Sequence, residues 1–259
     1  VALLVSVGFL GVVFGMVAHK FKLWPHSIFQ NAYQAARAWH EKLTPRSQYD
    51  TTLFQTARYA NSGIFRYDEE KAYNGFTLFT SAHAQKAFLI SMEGDIVHEW
   101  HLPFSRVWTT PPHIAFPASE DFIYWRKAHI YPNGDLLAIY IAFGDTPWGY
   151  GLAKMDKNSK MIWKYTERVH HDVDVGDDGH VYTLIHEITT DKIPGIPLEP
   201  PLIEDSIVVL SAEGQELKRL SISQAFREST FSSVLKLPAK KTNGDVWHTN
   251  AVEVLDEQI

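Results

Sequence analysis

Residues 170–187 read HHDVDVGDDGHVYTLIHE, two β-rich runs around the turn Gly176-Asp177-Asp178-Gly179. An Asp-Gly pair reaches positive φ at little cost, so the stretch reads as a hairpin. Residues 129–140, HIYPNGDLLAIY, repeat the pattern around Pro132-Asn133-Gly134-Asp135. A second kind of hairpin reads AFLISMEGDIVHEW over 87–100, LAKMDKNSKMIWKY over 152–165 and IVVLSAEGQELKRL over 207–220. It recurs at Gly94, Asn158 and Gly214, 64 and 56 residues apart; the first kind recurs at Gly134 and Gly179, 45 apart. The two kinds alternate along the chain. Two hairpins make a four-stranded sheet, and a repeat of about 40–60 residues suits propeller blades. The expected fold is therefore all-β, a β-propeller, with an open sandwich as the alternative. From Gly75 to Ile259 there is room for about three blades, whereas a ring closes with typically four to eight. Val252-Glu-Val-Leu-Asp256 reads as the start of a further strand.

Composition agrees with a globular chain. Of 259 residues, 45% are hydrophobic and 21% charged, which excludes a wholly disordered protein. That length suits one large domain or two small ones. A net charge of -6 argues against nucleic acid as a partner. The absence of cysteine excludes a disulfide scaffold, a zinc-thiolate site, an iron–sulfur cluster and a thiol nucleophile.

Upstream of the hairpins the texture is different. Val1 to Ala18, VALLVSVGFLGVVFGMVA, has no charge, and Ser6 is its only polar side chain. Its length exceeds a secretory apolar core and fits a membrane helix. Lys20, Lys22 and Trp24 follow as interfacial anchors. The expectation is a transmembrane signal anchor over 1–19, with the lipid bilayer as its partner. Gly11 and Gly15 form a small-residue step on which a partner helix could approach. Counting the two lysines places the C-terminal side in the cytoplasm, with only one flank to count. After Pro25, Ser27 and Gln30 match a capping box, predicting a short amphipathic helix to about Leu43. The organisation read here is an anchor over 1–19, a helical linker over 20–66 and a propeller over 67–259.

Cofactor signatures are missing. Gly149-Tyr150-Gly151 is no dinucleotide loop, and no phosphate-binding loop occurs. His98-Glu99-Trp100-His101 lacks the spacing of a zinc helix. Asp172, Asp174, Asp177 and Asp178 resemble a calcium loop, but the next ligand position falls on Gly176, so they read as a solvated turn. Histidines carry the signal instead. His170 precedes Asp172 by two residues, and His248 precedes Asn250 by two. His129 is read as opening the equivalent strand of an earlier blade. Strict alternation puts His170 on the Asp172 face and His171 on the valine face, nearer the packed interior. A carboxylate or amide two residues away can fix an imidazole tautomer, leaving a nucleophile or general acid–base.

These residues also carry a resemblance. HHDVDVGDDGHVYTLIHE, EDSIVVLSAEGQELKRLSISQAFRES and HTNAVEVL resemble the bacterial arylsulfotransferase family, as does GFTLFTSAHAQKAFLISMEGDIVHEW. The likeness runs from about Tyr67 to Ile259 and leaves out Val1 to Pro45. It implies a six-bladed propeller on the periplasmic side of the bacterial inner membrane, anchored by a single pass. It implies transfer of a sulfuryl group from a phenolic sulfate donor to a phenol acceptor, carried on a histidine, with no nucleotide donor and no cofactor. His248 and Asn250 match the family's His-Thr-Asn element. His170 or His171 matches an upstream funnel histidine, and His170 keeps the His-x-Asp spacing. The candidate catalytic residues are thus His170, His171 and His248, with Asn250 and His129 as substrate-binding residues and no metal ligand. The family's key arginine and sulfuryl-carrying histidine come later in chain order and match no position here. A rival reading is a non-catalytic propeller serving as an accessory subunit of a membrane complex. A third is a metal enzyme liganded by His129, His170 and His248.

Overall fold

A computed structural model describes residues 2–21, 23–24, 28, 32, 58–60, 63–145, 147–240 and 244–255. The chain divides into two compact units, Val1–Gln55 and Thr56–Ile259. In the first, helix α1 (Ala2–Phe21) presents Leu3, Phe9, Leu10, Val12, Phe14 and Met16 as exposed apolar side chains. Among the described residues no helix is long and apolar enough to cross a membrane. The side chains of Ala2 and Leu4 lie outside that description. So does nearly all of the helix expected over Ser27 to Leu43.

The second unit is built from three antiparallel sheets. One contains β1 (Thr77–Thr80), β2 (Lys86–Ile90) and β3 (Ile96–His101). The next contains β4 (Ile123–Ile130), β5 (Leu136–Ala142), β6 (Gly149–Met155) and β7 (Met161–Tyr165). The third contains β8 (Val169–Val175), β9 (Val181–Thr189), β10 (Leu202–Leu210) and β11 (Glu216–Ser221). Strands pair in chain order throughout. The two alternating hairpin kinds are therefore the first and second halves of each four-stranded sheet. Their correspondence makes β1 the counterpart of β5 and β9. Among the described residues the first sheet has no counterpart of β4 and β8.

One turn geometry serves five hairpins. In each, the N–H opening the turn donates to a carbonyl four residues on, and the fourth residue's N–H donates back. Tyr131 N to Asp135 O at 2.8 Å and Gly134 N to Tyr131 O at 2.9 Å are one such pair. The fourth residue needs positive φ, which Gly94, Gly134, Gly179 and Gly214 supply. The remaining turn places Ser159 there at φ 63. Ser159, not Asn158, is thus the counterpart of Gly94 and Gly214.

Sheets stack through side chains of alternating strands. All seven residues of β5 are buried. Leu136, Ala138 and Tyr140 pack toward Trp100, Phe104 and Trp125, whereas Leu137, Ile139 and Ile141 pack toward Val173, Ile185 and Val208. Period-2 alternation thus feeds two cores from one strand. Each large buried side chain contributes about 1.5–3 kcal/mol. Beyond the third sheet, Val246 packs with Leu202 and Leu235. The segment 250–255 is not a ladder strand. Its Val252 and Val254 N–H groups donate to Asp172 Oδ2 at 3.0 Å and Asp174 Oδ2 at 2.8 Å.

Candidate functional site

The site begins with a fault in β8. Val169 pairs Ile185 and His170 pairs Leu184, but the next pair is Val173 with Thr183. His171 and Asp172 are extra residues with no partner across the ladder. His171 takes φ 55 to accommodate them, a left-handed value that non-glycine residues seldom adopt. This overturns the expected place of His171, which leaves the ladder, while His170 keeps the face opposite Val169 and Val173. His170 is the buried histidine, 2% exposed, and His171 is the half-buried one that faces out of the fault. Glycines let other backbone come close. A Cβ on Gly149 would lie 2.4 Å from Arg168 O, and Gly149 N–H donates to His186 Nε2 at 3.3 Å. Close approach, not nucleotide binding, explains the glycines at 149 and 151.

Four imidazoles and one indole gather beside this fault. His170 stacks on His186 with ring centroids 4.3 Å apart, and His170 Nδ1 meets His171 Nδ1 at 2.8 Å. His171 lies 5.6 Å from His248, and Trp148 lies 5.3 Å from His248 and 6.3 Å from His171. His248 also has positive φ, 46°, and its Nδ1 pairs with Asp245 Oδ2. The shared left-handed backbone makes His248 the counterpart of His171, and Trp247 that of His170. In β4 the same place is held by Trp125 and Arg126, where the pairing also slips, between Trp125 and Ala128. Arg126 acts electrostatically on His171, as does His248. Arg126, His171 and His248 thus come from equivalent places on three successive chain segments.

Not every expected residue joins them. His129 lies near the end of β4, not its start, and corresponds to Asp174 in β8. It packs edge-on against Tyr131 at 5.1 Å and feels Asp174 and Lys127. A metal site of His129, His170 and His248 is therefore not assembled. Asn250 Nδ2 donates to His248 O at 2.5 Å, so it braces the backbone and does not touch the ring. Asp172 does not fix His170 either. It accepts from Lys127 Nζ, from Val173 N at 2.9 Å and from Val252 N, tying three segments together. Asp172 and Asp174 are structural ties, and only Asp177 and Asp178 belong to the exposed turn.

The partners that sequence spacing assigned to Asp172 and Asn250 come from elsewhere. Asp205 Oδ1 on β10 faces His170 Nε2 at 3.8 Å, and Asp245 holds His248. Asp205 Oδ2 accepts from Thr249 N at 2.9 Å and Thr249 Oγ1 at 2.5 Å. The residues missed by sequence reasoning are Arg126, Trp148, His186, Asp205 and Asp245. None of them carries a local signal in the sequence; Asp205 comes beside His186 only through the pairing of β9 with β10.

Electrostatics keep the cluster neutral. Burial, then the neighbouring His170 and Arg168, pushes His186 down to about 2. Burial lowers His170 to about 4, opposed by the Ile185 backbone and Asp245. Burial, His170 and Arg126 lower His171 to about 4. Burial raises Asp205, while its two Thr249 bonds oppose the rise. Donor atoms of His170, His186 and Asp205 lie within 4.8 Å of one another, a spacing open to a metal. The two rings, however, are within 16° of parallel. Their in-plane lone pairs run side by side and do not converge on one ion. His186 Nε2 is also already an acceptor for Gly149. The arrangement instead suits an anion, which would meet Arg126 beside His171 and His248.

No protein-family model matches the chain, and no curated protein matches it. A solved structure from Bacteroides caccae, described as a protein of unknown function, is similar at 15% identity. That match covers 56% of this chain and 42% of the other, with a TM-score of 0.30. The chain thus spans less than half the length of that structure.

Proposed function

We propose that the three sheets are blades of a β-propeller whose histidine cluster serves sulfuryl transfer from a phenolic sulfate ester to a phenol. The observation that carries this reading is the convergence of Arg126, His171 and His248 from equivalent places on successive segments. Sulfuryl transfer resembles phosphoryl transfer, in which charge spreads over the peripheral oxygens of a loose transition state. A guanidinium answers that charge, and an imidazole beside it is placed to accept the proton of the acceptor hydroxyl. Trp148 offers an aromatic surface for the aryl ring beside them. The likeness of the chain to arylsulfotransferases points the same way. No residue of this chain is assigned the role of sulfuryl carrier.

In this reading the propeller sits on the periplasmic side of a bacterial inner membrane and α1 is its anchor. The support is in the sequence, where Val1 to Ala18 carries no charge over a length that suits a span. Leu3, Phe9, Leu10, Val12, Phe14 and Met16 are exposed on α1, and a Cβ on Gly11 or Gly15 would meet nothing within 4 Å. That open face supports the second reading, an accessory subunit docked through α1. Protein that leaves the membrane in alkaline carbonate, or begins after His19, excludes the anchor.

The deciding assay mixes the full chain with a chromogenic aryl sulfate and a phenol, without a nucleotide donor. His248→Ala should lower transfer by about 10²-fold or more, the range of general acid–base catalysis. Folding should change little, because the His248 side chain is 51% exposed. Failure to transfer across a panel of phenols favours the accessory subunit. An active protein indifferent to His248→Ala removes this residue from the chemistry.

A further inference from the structure

Two mutually bonded ring nitrogens set a constraint that the rest of the site resolves. His170 Nδ1 and His171 Nδ1 are 2.8 Å apart, so one must carry a proton and the other must not. His170 Nε2 is buried and lies within hydrogen-bond reach of no group among the described residues. Asp205 Oδ1 faces it at 3.8 Å. The Ile185 backbone also acts on this ring without giving Nε2 a partner.

Thr249 orients Asp205 and works against the burial that raises it. Its N–H and its hydroxyl both donate to Oδ2, and two donors on one carboxylate favour the ionised form. A bare Nε2 facing that carboxylate would oppose two acceptors in a dry interior. A proton on Nε2 faces it favourably. A neutral His170 has one proton, so with Nε2 protonated its Nδ1 is an acceptor. His171 must then donate from Nδ1. We propose that Asp205 and His170 form a two-link positioning chain that holds His171 in its Nδ1–H tautomer and leaves Nε2 as its bare, proton-accepting nitrogen.

His248 arrives at the same state by a shorter route, since its Nδ1 pairs directly with Asp245. The two imidazoles, 5.6 Å apart, thus present the same kind of nitrogen. This inference rests on the cluster being a group-transfer site for its use, but not for its test. In that use His171 is the base toward an acceptor hydroxyl, and Asp205 and His170 act only through it.

Long-range ¹H–¹⁵N spectra of the full chain, with histidine ring nitrogens labelled, read each tautomer directly, whether or not transfer occurs. In the unaltered protein near pH 7, His171 should show a protonated Nδ1 and a bare Nε2. A protonated Nε2 on His171 overturns the proposal. Asp205→Asn adds a directional check. Thr249 would hold the amide carbonyl, leaving the amide NH₂ to donate to His170 Nε2. The chain then reverses, and His171 should switch to Nε2–H. If the variant keeps its folded spectrum but His171 does not switch, Asp205 does not set the tautomer. Should the variant fail to fold, the spectrum of the unaltered protein still decides. Transfer activity, where present, should fall steeply in Asp205→Asn, as when the carboxylate of a Ser-His-Asp triad becomes an amide and loses about 10⁴-fold.

Discussion

β4 and β8 hold the same place in neighbouring sheets, and both break at the same distance from their turns. The fault follows Trp125 in one and His170 in the other, each nine residues before Gly134 or Gly179. In β4 two residues, Arg126 and Lys127, oppose Ile139 alone. In β8 two residues oppose none. Such bulges re-aim a side chain, and here they leave Arg126 near enough to His171 to act on it electrostatically. Behind them the strands differ. Trp125 fills the core against Tyr140 at 5.7 Å, whereas His170 links a carboxylate to a second imidazole. One backbone device thus serves packing in one sheet and polar chemistry in the next.

The largest test of that contrast is Trp125→Ala. It empties a fully buried site, and aromatic truncations of this kind cost about 3–5 kcal/mol. The urea midpoint should fall sharply; a midpoint within error of the unaltered protein would show that β4 does not depend on its indole.

β8 should instead betray itself through pH. His170 and His186 are both 2% exposed, and their folded values are depressed to about 4 and about 2 from 6.5. The unfolded chain therefore binds more protons below pH 6.5. Stability is complete above that pH and drains as the pH falls toward the folded values. Each histidine removes about 1.4 kcal/mol per pH unit inside its window. Urea titrations between pH 7 and 4.5 should show this slope, reduced by one proton in His186→Gln. A flat profile would mean the rings are not held neutral by the fold.

The tie between the two strands comes next. Asp172→Asn puts an amide where Lys127, Val173 N and Val252 N all donate, at a cost of about 1–3 kcal/mol. Asp177→Asn, in the exposed turn, should stay within about 0.5 kcal/mol. Equal midpoints for the two variants would place Asp172 with the turn after all. The smallest expected effect is a gain. Ser159→Gly relieves a left-handed serine in a turn where the four counterparts are glycine, and should add about 0.5–1 kcal/mol. A loss of stability would mean that the bond Ser159 Oγ accepts from His101 N–H, at 3.0 Å, outweighs the strain.

The sheets were legible in the sequence because turns are local. Asn133-Gly134 and Asp178-Gly179 declare their geometry in adjacent residues, and the apolar runs around them fix the pairing. The histidines at 170, 171 and 248 were also visible, since they interrupt otherwise patterned stretches. Their arrangement was not. A two-residue bulge leaves no mark on alternation: His170 keeps the face opposite the valines, but His171 leaves the ladder, and His170 rather than His171 is the buried ring. The partners two residues away, Asp172 and Asn250, looked right and proved to bind backbone. Asp205 reaches His170 only because β10 and β9 place it beside His186, which is a tertiary fact. His129 looked equivalent because it too precedes a turn, but it stands four residues past the place held by Trp125.

The central claim is that Arg126, His171 and His248 receive one anionic group together. Titrating the full chain with an aryl sulfate while following the ring Cε1–H resonances of His171 and His248 tests it most directly. The account predicts that both resonances move along one saturable curve, and that Arg126→Ala, folded as before, weakens or abolishes the movement. Binding that leaves both histidines unmoved, or no binding by a folded chain, would contradict it.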